Sequence, residues 1–315
     1  MHAQSLPVAL TPTRFEFAGY PGDMLSGTIE FWNGTEVFLP VRVAASDFEP
    51  QGEEGHIVTR EYSPASPSEE IPWAAGSGGF NGRSLREWID FEYPALSVAP
   101  QQKFQFKFSL QIPPNAEPGS YWGALMVENM PGGTEGSAIQ VKIGAILLLR
   151  VYGEVKEQLV VDSFEVPAWV QAPPVEFAVR LRNTGTVHVK PKGTIEIRNM
   201  RGEPVAVAPL PEVNILPGYV RRVEVRLGGD GYWLGRYTAA LSLTTDGSTG
   251  GMVGAETSFW VIPWRDVGLP VLIILGIFVF IVWKRRNFAA AFRVLARGEK
   301  MENTKLEVPD PKNEV

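Results

Sequence analysis

Residues 267–283, VGLPVLIILGIFVFIVW, form a run of seventeen without a single charge. As a helix rising ~1.5 Å per residue it spans ~26 Å, the short end of what a bilayer core requires. Trp264 and Trp283 bracket it as interfacial aromatics do, and Pro270 falls in its first turn, where a missing N–H costs little. A buried core helix is the competing reading. Lys284, Arg285 and Arg286 directly after the run count against it. The segment is therefore expected to be a single transmembrane anchor, flanks included at 263–286.

Orientation follows from the cations. Lys284, Arg285, Arg286, Arg293 and Arg297 follow the span, and only Arg265 closely precedes it. The positive side stays inside, which puts the C-terminus in the cytoplasm and the larger part of the chain outside. Export requires a signal that the opening residues do not supply. The cleavage-site flavour of His2-Ala3-Gln4 suggests a trimmed or missing signal. Beyond the span, FAAAFRVLA (288–296) is expected to lie along the inner membrane surface, within a basic, disordered tail at 287–315.

The exported part reads as strands. Period-two alternation recurs over residues 8–262, and 26 prolines and 32 glycines suit short strands with tight turns. MLSGTIEFW (24–32) ends at Asn33-Gly34, a hairpin signal with 37–45 as the expected partner. KFQFKFSLQI (103–112) places Phe104, Phe106, Phe108 and Leu110 on one face. GAILLLRV (144–151) is apolar on both faces and is expected at the centre of a sheet. A second series of strands is expected at 158–166, 175–182, 193–199, 205–209, 219–227, 236–244 and 254–262. The fold class is all-β: two tandem immunoglobulin-like β-sandwiches, 1–153 and 154–262, followed by one transmembrane helix.

The halves read as diverged copies. Each has a strand ending in asparagine (TIEFWN, AVRLRN), a proline opening a long strand (Pro100, Pro217), and Gly-x-Tyr before the penultimate strand (Tyr121, Tyr237). Such a tyrosine can bond back to the backbone at a sandwich corner. The first half carries one long interruption, 49–81, rich in proline, glycine and carboxylates, beyond the length of an ordinary connector. After it, Leu85, Trp88 and Ile89 are placed to cap the sandwich.

Little points to catalysis. With no cysteine there are no disulfides and no thiolate sites. The three histidines, His2, His56 and His188, lack metal-ligand spacing, and neither HExxH nor GxSxG occurs. No metal and no cofactor is expected. Glu49, Glu53, Glu54, Glu69 and Glu70 read as solvated charge rather than a calcium loop. The part preceding residue 284 holds 21 basic against 30 acidic residues, which disfavours nucleic acid as a partner. Aromatics are the better lead. Trp88 and Tyr121 read as core, whereas Trp73 and Phe80, on a polar glycine-rich segment, are the candidate ligand-binding residues.

VALTPTRFEFAGYPGDMLSGTIEFWNGTEVFLPVRVAASDF, SLREWIDFE, LSVAPQQKFQFKFSLQIPPNAEPGSYWGALMVE and VKIGAILLLRVYGEV, in that order, resemble the WxL-interacting protein family of Gram-positive cell-surface proteins. VRLRNTGTVHVKPKGTIEIRN, ILPGYVRRVEV, LGRYTAAL and the helix with its basic tail resemble the remainder of that family. The resemblance implies a non-enzymatic adhesion or scaffold protein, with peptidoglycan as the ligand of the first domain and WxL surface proteins as partners of the second. An envelope assembly chaperone, which also pairs two such sandwiches, is the alternative, and an enzyme using 49–81 as a lid is the third class.

Overall fold

The computed structural model describes residues 7–59, 84–130, 142–229, 231–245 and 252–296, with no side-chain description for residues 267 and 285–296. Trp73 and Phe80 lie outside the described residues.

The first sandwich contains β1 (Val8–Thr11), β2 (Arg14–Gly19), β3 (Met24–Asn33), β4 (Leu39–Ser46), β5 (Phe48–Gln51), β6 (His56–Thr59), β7 (Ile89–Phe91), β8 (Ala95–Val98), β9 (Gln102–Gln111), β10 (Gly119–Asn129) and β11 (Lys142–Val151). One sheet runs β1-β3-β9-β7, the other β2-β11-β10-β4-β8, and β5 pairs with β6 alone. Alternation decides which side chains go in. Ile29 and Phe31 of β3 and Phe106, Phe108 and Leu110 of β9 meet Leu125, Leu147 and Leu149 from the opposite sheet. Leu85 is fully buried and Ile89 nearly so, and Trp88 packs on Tyr121 with ring centroids 4.5 Å apart. These residues close the sandwich as their sequence suggested.

The second sandwich follows the linker 152–158. It contains β12 (Leu159–Glu165), β13 (Trp169–Val170), β14 (Val175–Asn183), β15 (Lys192–Arg198), β16 (Pro204–Pro209), β17 (Val220–Leu227), β18 (Gly235–Thr244) and β19 (Met252–Val261). Its sheets run β12-β14-β17 and β13-β19-β18-β15-β16, around a separate core that includes Phe177, Leu181, Ile197, Leu241 and Phe259. Seven of these strands were expected from alternation; β13, two residues long, is too short to show a period. The chain is thus two immunoglobulin-like β-sandwiches and a single long helix, α1 (Trp264–Ala296). Residues 264–284 of α1 are long and apolar enough to cross a membrane, and no part of that stretch is buried against the sandwiches. No break separates it from 288–296, where a separate surface segment was expected. Alanine, leucine and arginine there are good helix formers, and nothing at Lys284-Arg285-Arg286-Asn287 interrupts the ladder.

Asn33-Gly34 is not a hairpin turn. β3 pairs with β1 and β9, whereas β4 pairs with β10 and β8 in the opposite sheet. The chain crosses between sheets here, and the fully buried Asn33 satisfies the crossing. Its Nδ2 donates to the carbonyls of Val37, Val98 and Ala99 at 2.9, 3.0 and 3.1 Å, and its Oδ1 accepts from Thr35 N and Thr35 Oγ1. Asn183 repeats the device. Its Nδ2 donates to Val187 and Ile215 carbonyls, both at 2.8 Å, and its Oδ1 accepts from Gly185 N at 2.9 Å. In each sandwich the bridged carbonyls lie four residues after the asparagine and two before the proline, so the shared sequence plan is a shared hydrogen-bond plan. The tyrosines match as well. Tyr121 Oη donates to the Glu117 carbonyl at 3.1 Å, and Tyr237 Oη accepts from Leu234 N at 3.2 Å.

Asn33→Ala or Asn183→Ala removes these bonds, but Val37 keeps Thr35 Oγ1 and Ile215 keeps Val189 N as donors, so each variant should lose about 1–3 kcal/mol, the cost of one stranded buried carbonyl. Urea unfolding of the full chain in detergent, followed by tryptophan fluorescence, measures this. A loss below the cost of one such carbonyl at both sites contradicts the bridging role.

Candidate functional site

The sandwiches do not hang from a flexible linker. GAILLLRV is apolar on both faces because both faces of β11 are covered. Leu147 and Leu149 enter the first core, while Ile146 and Leu148 point to the other side. There Phe48, Trp122, Ala124, Met126 and Leu148 close on Leu216 and Tyr219 of the second sandwich as a third apolar cluster, with Trp122 edge-on to Tyr219 at 6.3 Å. Trp122 Nε1 donates to the Phe48 carbonyl at 3.1 Å, which orients the ring.

The interruption expected from residue 49 onward departs from a plain loop at its start. β5 and β6 form a hairpin whose tip reaches the second sandwich. Arg222 N donates to the Glu53 carbonyl at 2.8 Å, which caps the free edge of β17. Arg180 grips the Glu53 carboxylate with two guanidinium nitrogens, Nε at 2.7 Å. Glu53 is therefore an interdomain anchor, not solvated charge. Its hydrogen bond to Arg180 lowers its pKa. Gly55 must be glycine: its φ is +82°, and a Cβ would collide with the Arg221 guanidinium lying across it.

On the other flank Ser120 and His188 bolt the domains together. Ser120 N donates to the Thr186 carbonyl at 3.0 Å, and His188 N donates to Ser120 Oγ at 2.7 Å. Ser120 Oγ lies 2.6 Å from His188 Nδ1. Ser120 Oγ thus accepts the His188 backbone N–H and shares a second hydrogen bond with the ring, whose direction follows the imidazole tautomer. Burial lowers the His188 pKa. The pair resembles a nucleophile and base, but Ser120 is fully buried, leaving no room for a substrate.

Between the hairpin and residues 213–221 of the second sandwich the interface leaves a cavity of about 130 Å³. Apolar Phe48, Ile57, Leu148 and Tyr219 form its floor, and Arg14, Asn214 and Arg221 supply its polar groups. Arg14 is half-exposed at the mouth, with Glu16 at 3.8 Å, and Glu16 accepts from Asn214 Nδ2 at 2.7 Å. Arg221 Nε and Asn214 Oδ1 are buried with no hydrogen-bond partner among the described residues. Burial, and secondarily the like charge of Arg14, lowers the Arg221 pKa. Two guanidinium groups with an unused donor suit a carboxylate or another small oxyanion. The volume is below that of small-molecule pockets, which begin near ~300 Å³.

Among the described residues no three histidine or carboxylate side chains are grouped to hold a metal ion. Of the anchor residues, Trp264 and Trp283 are exposed on α1, Lys284 Nζ sits 5.5 Å from the Phe280 ring, and Arg285 and Arg286 continue the helix. Sequence reasoning missed Arg14, Glu53, Ser120, His188 and Arg221. The double-faced apolarity of 144–151 was the one signal that an outer sheet face is covered.

No family model matches the chain, and no curated protein matches it. Solved structures with similar architecture include a chain of the chaperone–tip adhesin complex of CFA/I fimbriae biogenesis, at 8% identity and a TM-score of 0.39, covering 80% of this chain and 98% of that one. The class 5 fimbriae chaperone CfaA gives 7% identity and a TM-score of 0.37, covering 80% and 98%. The CupB2 chaperone of Pseudomonas aeruginosa gives 10% identity and a TM-score of 0.36, covering 80% and 100%. These are likenesses of architecture and bear on neither ligand nor partner.

The interface should respond to pH. Unfolded, the imidazole takes up a proton below about 6.5, whereas in the folded chain it stays neutral to lower pH. In that window the unfolded state binds more protons, so stability is full above about 6.5 and is lost as pH falls through the folded pKa. Glu53 and Asp162, lowered by their hydrogen bonds to Arg180 and Arg182, add a second loss as pH falls below their ordinary values of 4.5 and 3.8. Melting temperature against pH should show both phases in the wild type and only the lower one in His188→Gln. An upper phase unchanged in the variant assigns it to another group.

Proposed function

We propose that this chain is a membrane-anchored, non-enzymatic binding protein of the cell envelope that uses the interdomain cleft to hold an acidic group of a partner protein. The cleft carries the reading: its buried Arg221 Nε has no partner among the described residues, beside Arg14 on a surface otherwise rich in carboxylates. α1 is the anchor, with the basic cluster after Trp283 on the cytoplasmic side and both sandwiches outside. The resemblance to the WxL-interacting family adds peptidoglycan for the first sandwich and WxL-type surface proteins for the second; Trp73 and Phe80, large apolar groups on a polar glycine-rich segment, are the contacts the sequence itself offers.

The same cleft favours a second reading, an envelope assembly chaperone. Two sandwiches closed onto each other present their guanidinium groups to one side, where a client's carboxylate end can seat. The described sheet edges bear on how a client strand would add. β1, β7, β8 and β13 span four residues or fewer, β12 is bulged at Val161/Ser163, and proline stands at both ends of β16. Such edges resist pairing; β2 and β17, six and eight residues long, are the edges left to a client strand, with the hairpin tip on β17 at Arg222.

Three results are expected. Protease treatment of intact cells, or of protoplasts where a wall blocks access, should digest the sandwiches and spare the tail; the reverse pattern overturns the topology. Capture of envelope proteins by the full chain in nanodiscs should fall about tenfold or more in Arg221→Ala and Arg14→Ala, the ~1.5–3 kcal/mol typical of hydrogen bonds to charged groups. Equal capture by wild type and both variants removes the cleft from the mechanism. Trp73→Ala and Phe80→Ala should weaken retention on wall fragments with little change in melting temperature. Suppression of aggregation of unfolded envelope subunits, lost in Arg221→Ala, with no retention on wall fragments, selects the chaperone reading.

A further inference from the structure

The end of the second sandwich nearest α1 is unusually apolar. β19 ends at Val261 and α1 begins at Trp264, so only Ile262 and Pro263 intervene. This connector has no slack: Ile262 N donates to the Val170 carbonyl at 2.9 Å, and Trp264 N to the Ile262 carbonyl at 2.8 Å. Trp169 and Trp260, register partners on β13 and β19, stack at 6.1 Å on the outer face. The loop before β18 adds Tyr232 and Leu234. The turn between β15 and β16 adds Met200, whose methyl lies against Gly235, itself the register partner of Val261. These five side chains are between 42 and 72 % exposed. They crowd one pole of the domain, whereas at the opposite pole, where Lys192 pairs with Thr244, Met252 is the exposed large apolar side chain.

We propose that this pole is a bilayer-docking surface, and that Trp169, Trp260, Tyr232, Leu234 and Met200 enter the headgroup interface of the membrane that α1 crosses. The proposal rests on α1 being the membrane anchor. Its own support is chain geometry. Three residue steps from Val261 to Trp264 reach at most ~10 Å, while each interfacial layer of a bilayer is ~5–8 Å thick. The pole therefore lies in or against that layer once α1 is inserted. Tryptophan and tyrosine are the residues that favour this depth, with an apolar ring body and a polar N–H or O–H tip. Arg236, opposite Trp260 in register, and Arg265, at the start of α1, place cations where lipid phosphates lie. Docking would fix the tilt of the second sandwich, and through the third apolar cluster it would set the height at which the cleft and the first sandwich stand above the membrane.

The cysteine-free chain allows a direct test. Single cysteines are introduced as Met200→Cys, Tyr232→Cys, Leu234→Cys, Thr244→Cys and Leu275→Cys in the full chain. Each is spin-labelled in phosphatidylcholine nanodiscs, and collision rates with oxygen and with a neutral nickel chelate are measured. The ratio of oxygen to nickel rates should exceed one at 200, 232 and 234 and fall below one at 244. A ratio well above one at 275 establishes that α1 is in the bilayer. If 275 is in lipid but 200, 232 and 234 match 244, docking is refuted while the anchor stands. If 275 itself is aqueous, the anchor reading fails first. If the pole sites are shielded from both reagents, a protein rather than lipid covers them, and the proposal is overturned.

Discussion

The structure turns on the outer face of β10 and β11. Most sandwich sheets keep their outer face in water; here Trp122, Ala124, Met126, Ile146 and Leu148 make it apolar and Leu216 and Tyr219 cover it. Everything that joins the halves is arranged around that contact. The β5–β6 hairpin seals one side through Glu53, Arg180 and Arg222, and Ser120 with His188 seals the other. Because apolar burial is non-directional, the cluster supplies adhesion, and the flanking hydrogen bonds supply the angle. The cleft is a by-product of that angle: two curved surfaces meet imperfectly, and arginines occupy the gap.

Repetition of one plan in both halves shows what an immunoglobulin-like sandwich requires of its sequence. A strand that leaves one sheet and enters the other exposes carbonyls that no ladder can satisfy. A buried asparagine, with two N–H donors and an acceptor on a short side chain, meets that need in both halves. The same two residue types, asparagine followed closely by glycine, also mark hairpins, so position alone misassigns Asn33. What separates the cases is whether the following strand returns to its neighbour, which depends on pairing far along the chain.

Between the second sandwich and α1 the connection is short and hydrogen-bonded, and this makes it a constraint on the angle at which the helix leaves the domain. A long linker would let helix and sandwich sample all angles. Two residues do not, so the loops at that end of the sandwich stay close to the first turn of α1.

Sequence by itself determined what is local and periodic: the two strand series, the apolar helix, the capping of the first sandwich by Leu85, Trp88 and Ile89, and the matched Asn, Pro and Tyr positions. Each is read from residue order and spacing along the chain, without knowing which distant residues meet. Tertiary structure alone decided which charges are anchors and which are solvated. Glu53 and Glu54 are adjacent in the chain, yet only Glu53 finds Arg180, 127 residues away; Ser120 and His188 meet across 68, and Arg14 and Arg221 across a cleft that exists only when both sandwiches are folded. No local pattern encodes such pairs. Their energy comes from desolvation and geometry at an interface, and an interface has no period along the chain.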